Sequence, residues 1–252
     1  MHQTGNLLGI KMIKFYLHVP ELPGWQSVLA EMLGKMDTSG LLESADEINF
    51  CVNGILANME IPLLKLNEID PKFKIVHVNG DATKWEYPTI NKLKEDADNS
   101  NEAHYVGYAH LKALSRPNIL DQKGVDWRNY LSYWTIERWE DNIAKLDEGF
   151  DLVGVNWTWQ PWPHMSGNFW WANTNYLRQL PKLQDPSTVV PGTISALLKP
   201  NVPLDQGNIR FEAEAWSGQH EPNVYELHRS HLLADPSFHY NNVYPPELYR
   251  ED

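Results

Sequence analysis

The first 157 residues alternate between short apolar runs and amphipathic segments. Apolar side chains occupy every second position from Ile13 to Val19, and Pro20 follows them, which predicts a first β-strand. From Trp25 to Met36 the apolar side chains return at helical spacing instead, which predicts an amphipathic helix.

The same periodicities predict further strands over 47–54, 73–80, 104–111 and 150–157, and a polar helix over 89–98. A long helix is predicted from Val125 to Leu146, with Asp126 as its N-cap and Gly149 at its end. Strands and helices that alternate in this way predict an α/β fold, with a mostly parallel sheet flanked by helices.

The pattern changes in the last quarter of the chain, where nine of the seventeen prolines lie between Pro181 and Pro246. Helical periodicity fades there, and a short strand is predicted over 209–216. We therefore expect one domain over 12–252, composed of a regular half (12–157) and an irregular half (158–252). Residues 1–11 precede a second methionine and are expected to be an added or disordered leader.

Charge and cysteine content narrow the classes of partner. The formal net charge of the 252 residues is −12, which argues against nucleic acid or an anionic membrane as the main partner. No stretch has the length and apolar character of a membrane span or a signal peptide, so we expect a soluble, cytoplasmic protein. Cys51 is the single cysteine and is expected to be a buried core residue.

Polar residues follow the predicted strands, and ligands of parallel sheets bind at the carboxyl ends of strands. The candidates for ligand binding at these positions are His18, Asn79, Gly80, Asp81, His110 and Lys112. A lysine at a strand end can bind a phosphate as a point charge, although the alternative is a pair of solvent-exposed side chains. The glycine-rich phosphate-binding motifs and the GxSxG hydrolase motif are absent.

Five tryptophans lie between Trp157 and Trp171 in a segment rich in Pro, Gly, Asn and Ser. Aromatic rings beside amide groups can bind a sugar, which stacks on the ring and hydrogen-bonds to the amides. The residues predicted to shape such a pocket are Ser166, Gly167, Asn168, Trp170 and Trp171. Core packing is the alternative for some of these rings, as it is the expectation for the tryptophans of the long helix.

Two acidic pairs are candidates for chemistry. Glu212 and Glu214 share one face of the strand predicted over 209–216, where one carboxylate could raise the pKa of the other and provide a general base. Asp96 and Asp98 form an Asp-x-Asp pattern that could hold a divalent cation. A solvated surface is the alternative for both pairs.

Several segments together resemble a known family: YPTI after the third strand, H-x-K at the end of the fourth, VDWRNYLSYWTIERWEDNIAKL, FDLVGVNW and SGNFWWANTNYLRQLP. They are similar to the small GT-A-type glycosyltransferases of bacterial polysaccharide loci and large viruses, among them the first domain of a chlorella-virus enzyme that builds capsid glycans. The resemblance covers residues 12–183 best. Members of that family usually have His-Thr-Lys-Gly where this sequence has His-Leu-Lys-Ala at 110–113.

The resemblance implies a GT-A-like fold that binds a nucleoside-diphosphate sugar, with UDP-sugar favoured, and a divalent ion, commonly manganese, whose ligands stay unassigned. It implies transfer of the sugar to a hydroxyl of a glycan or glycoprotein acceptor. In this scheme Lys112 and Arg128 lie near the phosphates, and Glu214, with Glu212 second, is the base. The alternatives are a non-catalytic carbohydrate-binding module that uses residues 157–171, and an enzyme that hydrolyses or modifies nucleotide sugars.

Overall fold

The computed structural model describes residues 11–54, 63, 65–81, 84–114, 120–159, 162–184, 211–231 and 241–250. A mixed sheet of seven strands runs through its centre, and two very short strands form a separate ribbon. In chain order the strands are β1 (Ile13–Pro20), β2 (Glu47–Asn53), β3 (Phe73–Asn79), β4 (Tyr105–His110), β5 (Leu152–Val155), β6 (Trp157–Thr158), β7 (His164–Met165), β8 (Trp170–Asn173) and β9 (Val224–His228).

The strand order in the sheet is β3-β2-β1-β4-β8-β5-β9. All pairings are parallel except those of β8, which lies antiparallel between β4 and β5. The chain order therefore reverses direction between β1 and β4, which is the switch point where sheets of this class bind ligands. The predicted mostly parallel α/β sheet is confirmed.

Helices cover both faces of the sheet. They are α1 (Trp25–Thr38), α2 (Leu41–Ser44), α3 (Tyr87–Asn99), α4 (Gln122–Ser132), α5 (Trp139–Asp147), α6 (Thr174–Leu177) and α7 (Phe211–Ala215). α1, α4 and α5 pack with Phe15 and Leu17 on one face, whereas α3, α6 and α7 pack with Tyr16 and Tyr108 on the other. Alternate residues of each strand thus serve two separate cores.

The predicted long helix is interrupted by a π-helical turn over Tyr133–Glu137, in which the Arg138 N–H donates to the Tyr133 carbonyl at 2.9 Å. Side chains from other elements donate hydrogen bonds to two carbonyls within this turn. The Trp171 indole donates to the Thr135 carbonyl and the Asn142 amide to the Trp134 carbonyl, each at 2.7 Å. The turn therefore fixes α5 against the sheet through β8.

The ends of this helical segment differ in how well they were predicted. Asp126 is not the N-cap, because it lies buried inside α4 and accepts hydrogen bonds from the Gln122 side chain and the Tyr244 backbone. Gly149 does follow the helix end, as predicted, and its φ of +99° is a conformation that glycine adopts without strain.

The strand predicted over 209–216 and the leader predicted over 1–11 have different outcomes. The segment predicted as a strand over 209–216 is helical over Phe211–Ala215, so that prediction is wrong. The leader predicted over 1–11 lies outside the described residues except for Lys11, whose ammonium pairs with Asp147 at 3.1 Å. Most of the proline-rich stretch, 185–210, also lies outside them.

Cys51 is buried in β2, as expected. Within the described ranges, no helix is both long enough and apolar enough to cross a bilayer.

Candidate functional site

Two histidines lie side by side at the carboxyl ends of β1 and β4, where the strand register pairs His18 with His110. His18 Nδ1 lies 2.8 Å from the Thr89 hydroxyl of α3, and His110 Nε2 donates to the Gly167 carbonyl at 3.0 Å. Burial lowers the pKa of His18 to about 4 and that of His110 to about 3, and the Lys112 charge adds to the effect on His110. Both rings are therefore neutral near pH 7.

Lys112 follows β4 and is 8% exposed. Its ammonium lies 4.1 Å from the centroid of the Trp127 ring, which is the geometry of a cation–π contact. Among the residues that the structure describes, no carboxylate lies within ion-pair distance of this ammonium. A mostly buried cation without a carboxylate partner can bind an anion such as a phosphate.

Arg128 does not present its guanidinium to this edge as a free group. Its Nε lies 3.1 Å from both carboxylate oxygens of Glu31, and its Nη2 donates to one of them at 2.7 Å. The Nη1 atom donates to the Lys112 carbonyl at 3.4 Å. The sequence-based placement of Arg128 on the phosphates is therefore corrected, because Nε and Nη2 pair with Glu31 and Nη1 donates to the turn that carries Lys112.

The two glutamates predicted on one strand face point in different directions. Neighbours two positions apart on a helix lie about 200° apart, and both residues belong to α7. Glu212 is buried and accepts a hydrogen bond from the Tyr87 hydroxyl at 2.6 Å, and burial raises its pKa. The prediction of a shared face is wrong.

Glu214 is half-buried on the same short helix. Its charge raises the pKa of His110 and of His164, while the Lys112 charge lowers both. Burial remains the main cause of the low pKa of His164. The predicted cation and the first of the predicted carboxylates thus act on the same two histidines.

Glu86, directly before α3, was not singled out from the sequence. Its Oε2 accepts hydrogen bonds from the Tyr108 hydroxyl at 2.5 Å and from the Asn168 amide at 2.7 Å. The Asn168 Oδ1 in turn accepts from the Trp170 indole at 2.9 Å. Asn168 is therefore held inside the protein, and the acidic residue before Tyr87-Pro88, a helix-start signal, was the available clue to Glu86.

Trp170 and Trp171 are core residues. Both side chains are 0% exposed and they project to opposite faces of the sheet. Trp170 stacks on Tyr108 with ring centroids 5.1 Å apart, and Trp171 meets Phe15 edge-on at 5.5 Å. Neither ring has an exposed face on which a sugar could stack, so their assignment to a sugar pocket is corrected to core packing.

The two small residues before Asn168 support this packing. Gly167 has a φ of +92°, and a Cβ there would lie 2.6 Å from a Leu131 methyl group. Ser166 is half-buried, and its N–H donates to the Asn156 carbonyl at 3.0 Å. Gly167 also supplies the carbonyl that orients His110, so it shapes the candidate site through its backbone.

The edge strand β3 ends at Asn79, Gly80 and Asp81. This strand lies two strands from β1, so these residues are about 10 Å from the end of β1 at the usual strand spacing. The Asn79 amide donates to Asn53 Oδ1 at 3.0 Å and to the Asp81 carbonyl at 2.8 Å. Asn79 also lines a cavity of about 320 Å³. Its charged and polar lining residues include Lys84, Lys92, Lys182, Asn91 and Glu95.

Both carboxylates of the Asp-x-Asp pattern form ion pairs with lysines of the same helix, α3. Asp96 pairs with Lys92 at 2.8 Å and accepts a hydrogen bond from Tyr16, and Asp98 pairs with Lys94. Among the described residues no group of three or more His, Cys, Asp or Glu side chains is arranged to hold a metal ion. The described residues therefore offer no donor set that fits the manganese ion implied by the resemblance.

The fold and the cluster define an α/β protein with a candidate ligand site at the carboxyl ends of its parallel strands. A family model described as a domain of unknown function (DUF8361) matches residues 24–228, which is more than half of the 252 residues, and the chain belongs to this family. No curated protein matches the chain.

Proposed function

We propose that the protein is a glycosyltransferase that moves a sugar from a nucleoside-diphosphate sugar, with UDP-sugar favoured, to a hydroxyl of a glycan or glycoprotein acceptor. One observation carries the proposal: the mostly buried ammonium of Lys112, which has no carboxylate partner among the described residues, follows β4 at the switch point of the sheet. A cation for the diphosphate and a carboxylate for the acceptor are the two charges that this transfer needs.

The donor would lie across the strand ends, with its nucleoside toward Asn79, Gly80 and Asp81 and its diphosphate at Lys112. Because the Lys112 ammonium is mostly buried and lacks a carboxylate partner among the described residues, its charge is available to the departing diphosphate. Arg128 acts as a positioning residue through the Lys112 carbonyl. The neutral rings of His18 and His110 form the floor without adding charge.

In an inverting transfer the acceptor oxygen forms a bond to the anomeric carbon as the bond from that carbon to the diphosphate oxygen breaks. The electron pair of the broken bond leaves with the diphosphate, and the acceptor proton passes to the Glu214 carboxylate. Glu212 is the second candidate base, although its hydrogen bond to Tyr87 turns it toward a different cavity.

The strand order also supports the GT-A-like arrangement that the sequence resemblance implies. Four parallel strands in the order β3-β2-β1-β4 would hold the donor nucleotide, and the segments after β5 would border the acceptor. The boundary that the sequence predicts between residues 157 and 158 falls inside the two-residue strand β6.

The proposal is tested by a transfer assay with purified protein, a panel of nucleotide sugars and candidate acceptor glycans. Glu214→Gln is expected to lower the transfer rate by at least 100-fold while UDP affinity stays within about 2-fold, because the amide keeps the shape of the side chain but cannot accept the proton. Glu140→Gln, on α5, is the control and should transfer normally. Normal turnover by Glu214→Gln would remove Glu214 as the base.

A non-catalytic carbohydrate-binding module is the second candidate, favoured by Trp159, which is 61% exposed beside the β6–β7 ribbon. Such a module would bind glycans without binding UDP. An enzyme that hydrolyses nucleotide sugars is distinguished in the same transfer assay, because it would release the sugar into water whether or not an acceptor is present.

A further inference from the structure

A second concave site lies on the far side of α7 from Glu214. Its volume is about 700 Å³, which is within the usual range of ligand pockets. It is bordered by three segments: the chain after α6, α7, and the turn over 218–221. The lining residues that matter for its chemistry are Trp162, Gln179, Glu212, Gln219, His220 and Glu221.

The chemistry of this lining suits a sugar. Gln179 and Gln219 provide amides that can both donate and accept hydrogen bonds, and Glu212 provides acceptor oxygens. Trp162 is 6% exposed and borders the same cavity, so its ring adds apolar surface beside these amides. An aromatic surface next to hydrogen-bonding amides is the combination that sugar binding uses.

The charge of the lining excludes several other ligands. No lysine or arginine is among the described lining residues, whereas Glu212 and Glu221 both border the cavity. In a chain of net charge −12, the Glu212 and Glu221 carboxylates would repel a nucleotide, a phosphate ester or a uronic acid here. Hydroxyl-rich neutral ligands carry no such penalty.

The walls of the cavity are held in place before any ligand arrives. The Tyr87 hydroxyl fixes Glu212, and the Tyr176 hydroxyl shares its one proton between the carbonyl oxygens of Ser217 and Gln219, which lie 2.7 and 2.5 Å away. The next two residues of the turn, His220 and Glu221, have φ values of +64° and +48°. Strained non-glycine backbone of this kind persists only where the surroundings impose it, and it is common at binding sites.

We propose that this cavity binds a neutral oligosaccharide. Its role as the site for the acceptor glycan rests on the proposed transferase function, because Glu212 on one side of α7 borders the cavity and Glu214 on the other side belongs to the catalytic cluster. Glycan binding itself does not depend on transfer. The two claims can therefore fail separately.

The test is a printed array of neutral and acidic glycans, probed with the full chain in the absence of nucleotide, followed by calorimetric titration of the neutral trisaccharide that binds best. Gln219→Ala is expected to weaken this binding about 10-fold, since it removes hydrogen bonds worth about 1 to 1.5 kcal/mol in total. Glu212→Gln is a second variant of the cavity. Gln26→Ala, on the exposed side of α1, is the matched control and should bind like the wild type.

Binding of neutral glycans that both cavity variants weaken, with Gln26→Ala unchanged, would support the site. The proposal is overturned if no neutral glycan binds, if only acidic glycans bind, or if folded Gln219→Ala and Glu212→Gln both bind like the wild type. Glycan binding without any UDP binding would leave the cavity standing and remove the transferase. UDP binding without glycan binding would do the reverse.

Discussion

At the scale of single residues, Ala113 carries strain in the turn that positions Lys112. Its φ is +69°, a left-handed conformation that costs a residue with a Cβ about 1 to 2 kcal/mol. This is the position at which the sequence has Ala where the resemblance leads one to expect Gly. The turn uses at Ala113 the left-handed conformation that a glycine would adopt without strain, so the alanine carries the conformational cost.

We predict that Ala113→Gly stabilises the protein by about 0.5 to 1 kcal/mol, less than the full strain because glycine also gains freedom in the unfolded chain. Urea denaturation of both proteins measures the difference. The control is Ala144→Gly in the exposed middle of α5, which should instead cost about 1 kcal/mol. A loss of stability in Ala113→Gly would contradict the strain assigned to this turn.

At the scale of elements, β8 joins the two halves of the sheet through one close approach. A Cβ on Gly107 of β4 would overlap the Phe15 ring and lie 2.9 Å from the Trp171 ring, so glycine is needed where three central strands meet. We predict that Gly107→Ala lowers the unfolding free energy by about 2 to 3 kcal/mol through overpacking. Differential scanning calorimetry measures the effect.

The control for this effect is Gly34→Ala in the middle of α1, where a Cβ meets nothing within 4 Å and alanine is the better helix former. It should raise the melting temperature slightly. An unchanged melting temperature in Gly107→Ala would mean that β8 does not depend on this close approach.

The elements that the sequence predicted and those that it did not predict differ in physical origin. β1, β2, β3 and β4 have strong alternation or long apolar runs, and their observed bounds lie within a residue or so of the prediction. β8 lies among residues typical of loops, and it is a strand because β4 and β5 supply partners on both sides. The alternation in FEAEA predicted a strand, but alanine and glutamate are strong helix formers, and the segment is a helix that buries Ala213 and Ala215.

The same distinction holds for the candidate site. Strand ends are visible in a sequence, so His18, His110 and Lys112 were found. Glu86 and His164 were not, because their places depend on how later segments fold over the sheet. The sequence also could not show that Glu31 occupies Arg128 from a residue 97 positions away.

At the scale of the whole molecule, buried histidines make stability depend on pH. The folded-state pKa is lowered by burial for His18 (to about 4) and His110 (to about 3), and in direction also for His77, His104 and His164. As the pH falls below about 6.5, the unfolded chain binds protons that the folded chain excludes, so the unfolding free energy decreases. Each fully buried histidine contributes up to about 1.4 kcal/mol per pH unit.

Urea denaturation at several pH values between 7.5 and 5 is therefore expected to show a steady loss of stability on acidification, before most carboxylates titrate. Burial raises the pKa of Glu212 and Glu226, and these two groups oppose the trend as they gain protons in the folded state. His110→Gln keeps a donor for the Gly167 carbonyl and should reduce the slope. Equal stability at pH 7 and pH 5 would show that these histidines are not buried as described.

Binding of the donor diphosphate by Lys112 is tested most directly by calorimetric titration of UDP and of uridine. Both ligands are titrated into the wild type and into Lys112→Met, which keeps the packing over Trp127 but removes the charge. We expect UDP to bind the wild type, and the variant to lose at least 10-fold in UDP affinity with little change for uridine. Lys123→Met, at a half-buried lysine in the first turn of α4, is the control. No UDP binding to the wild type, or equal losses for UDP and uridine in Lys112→Met, would contradict the account.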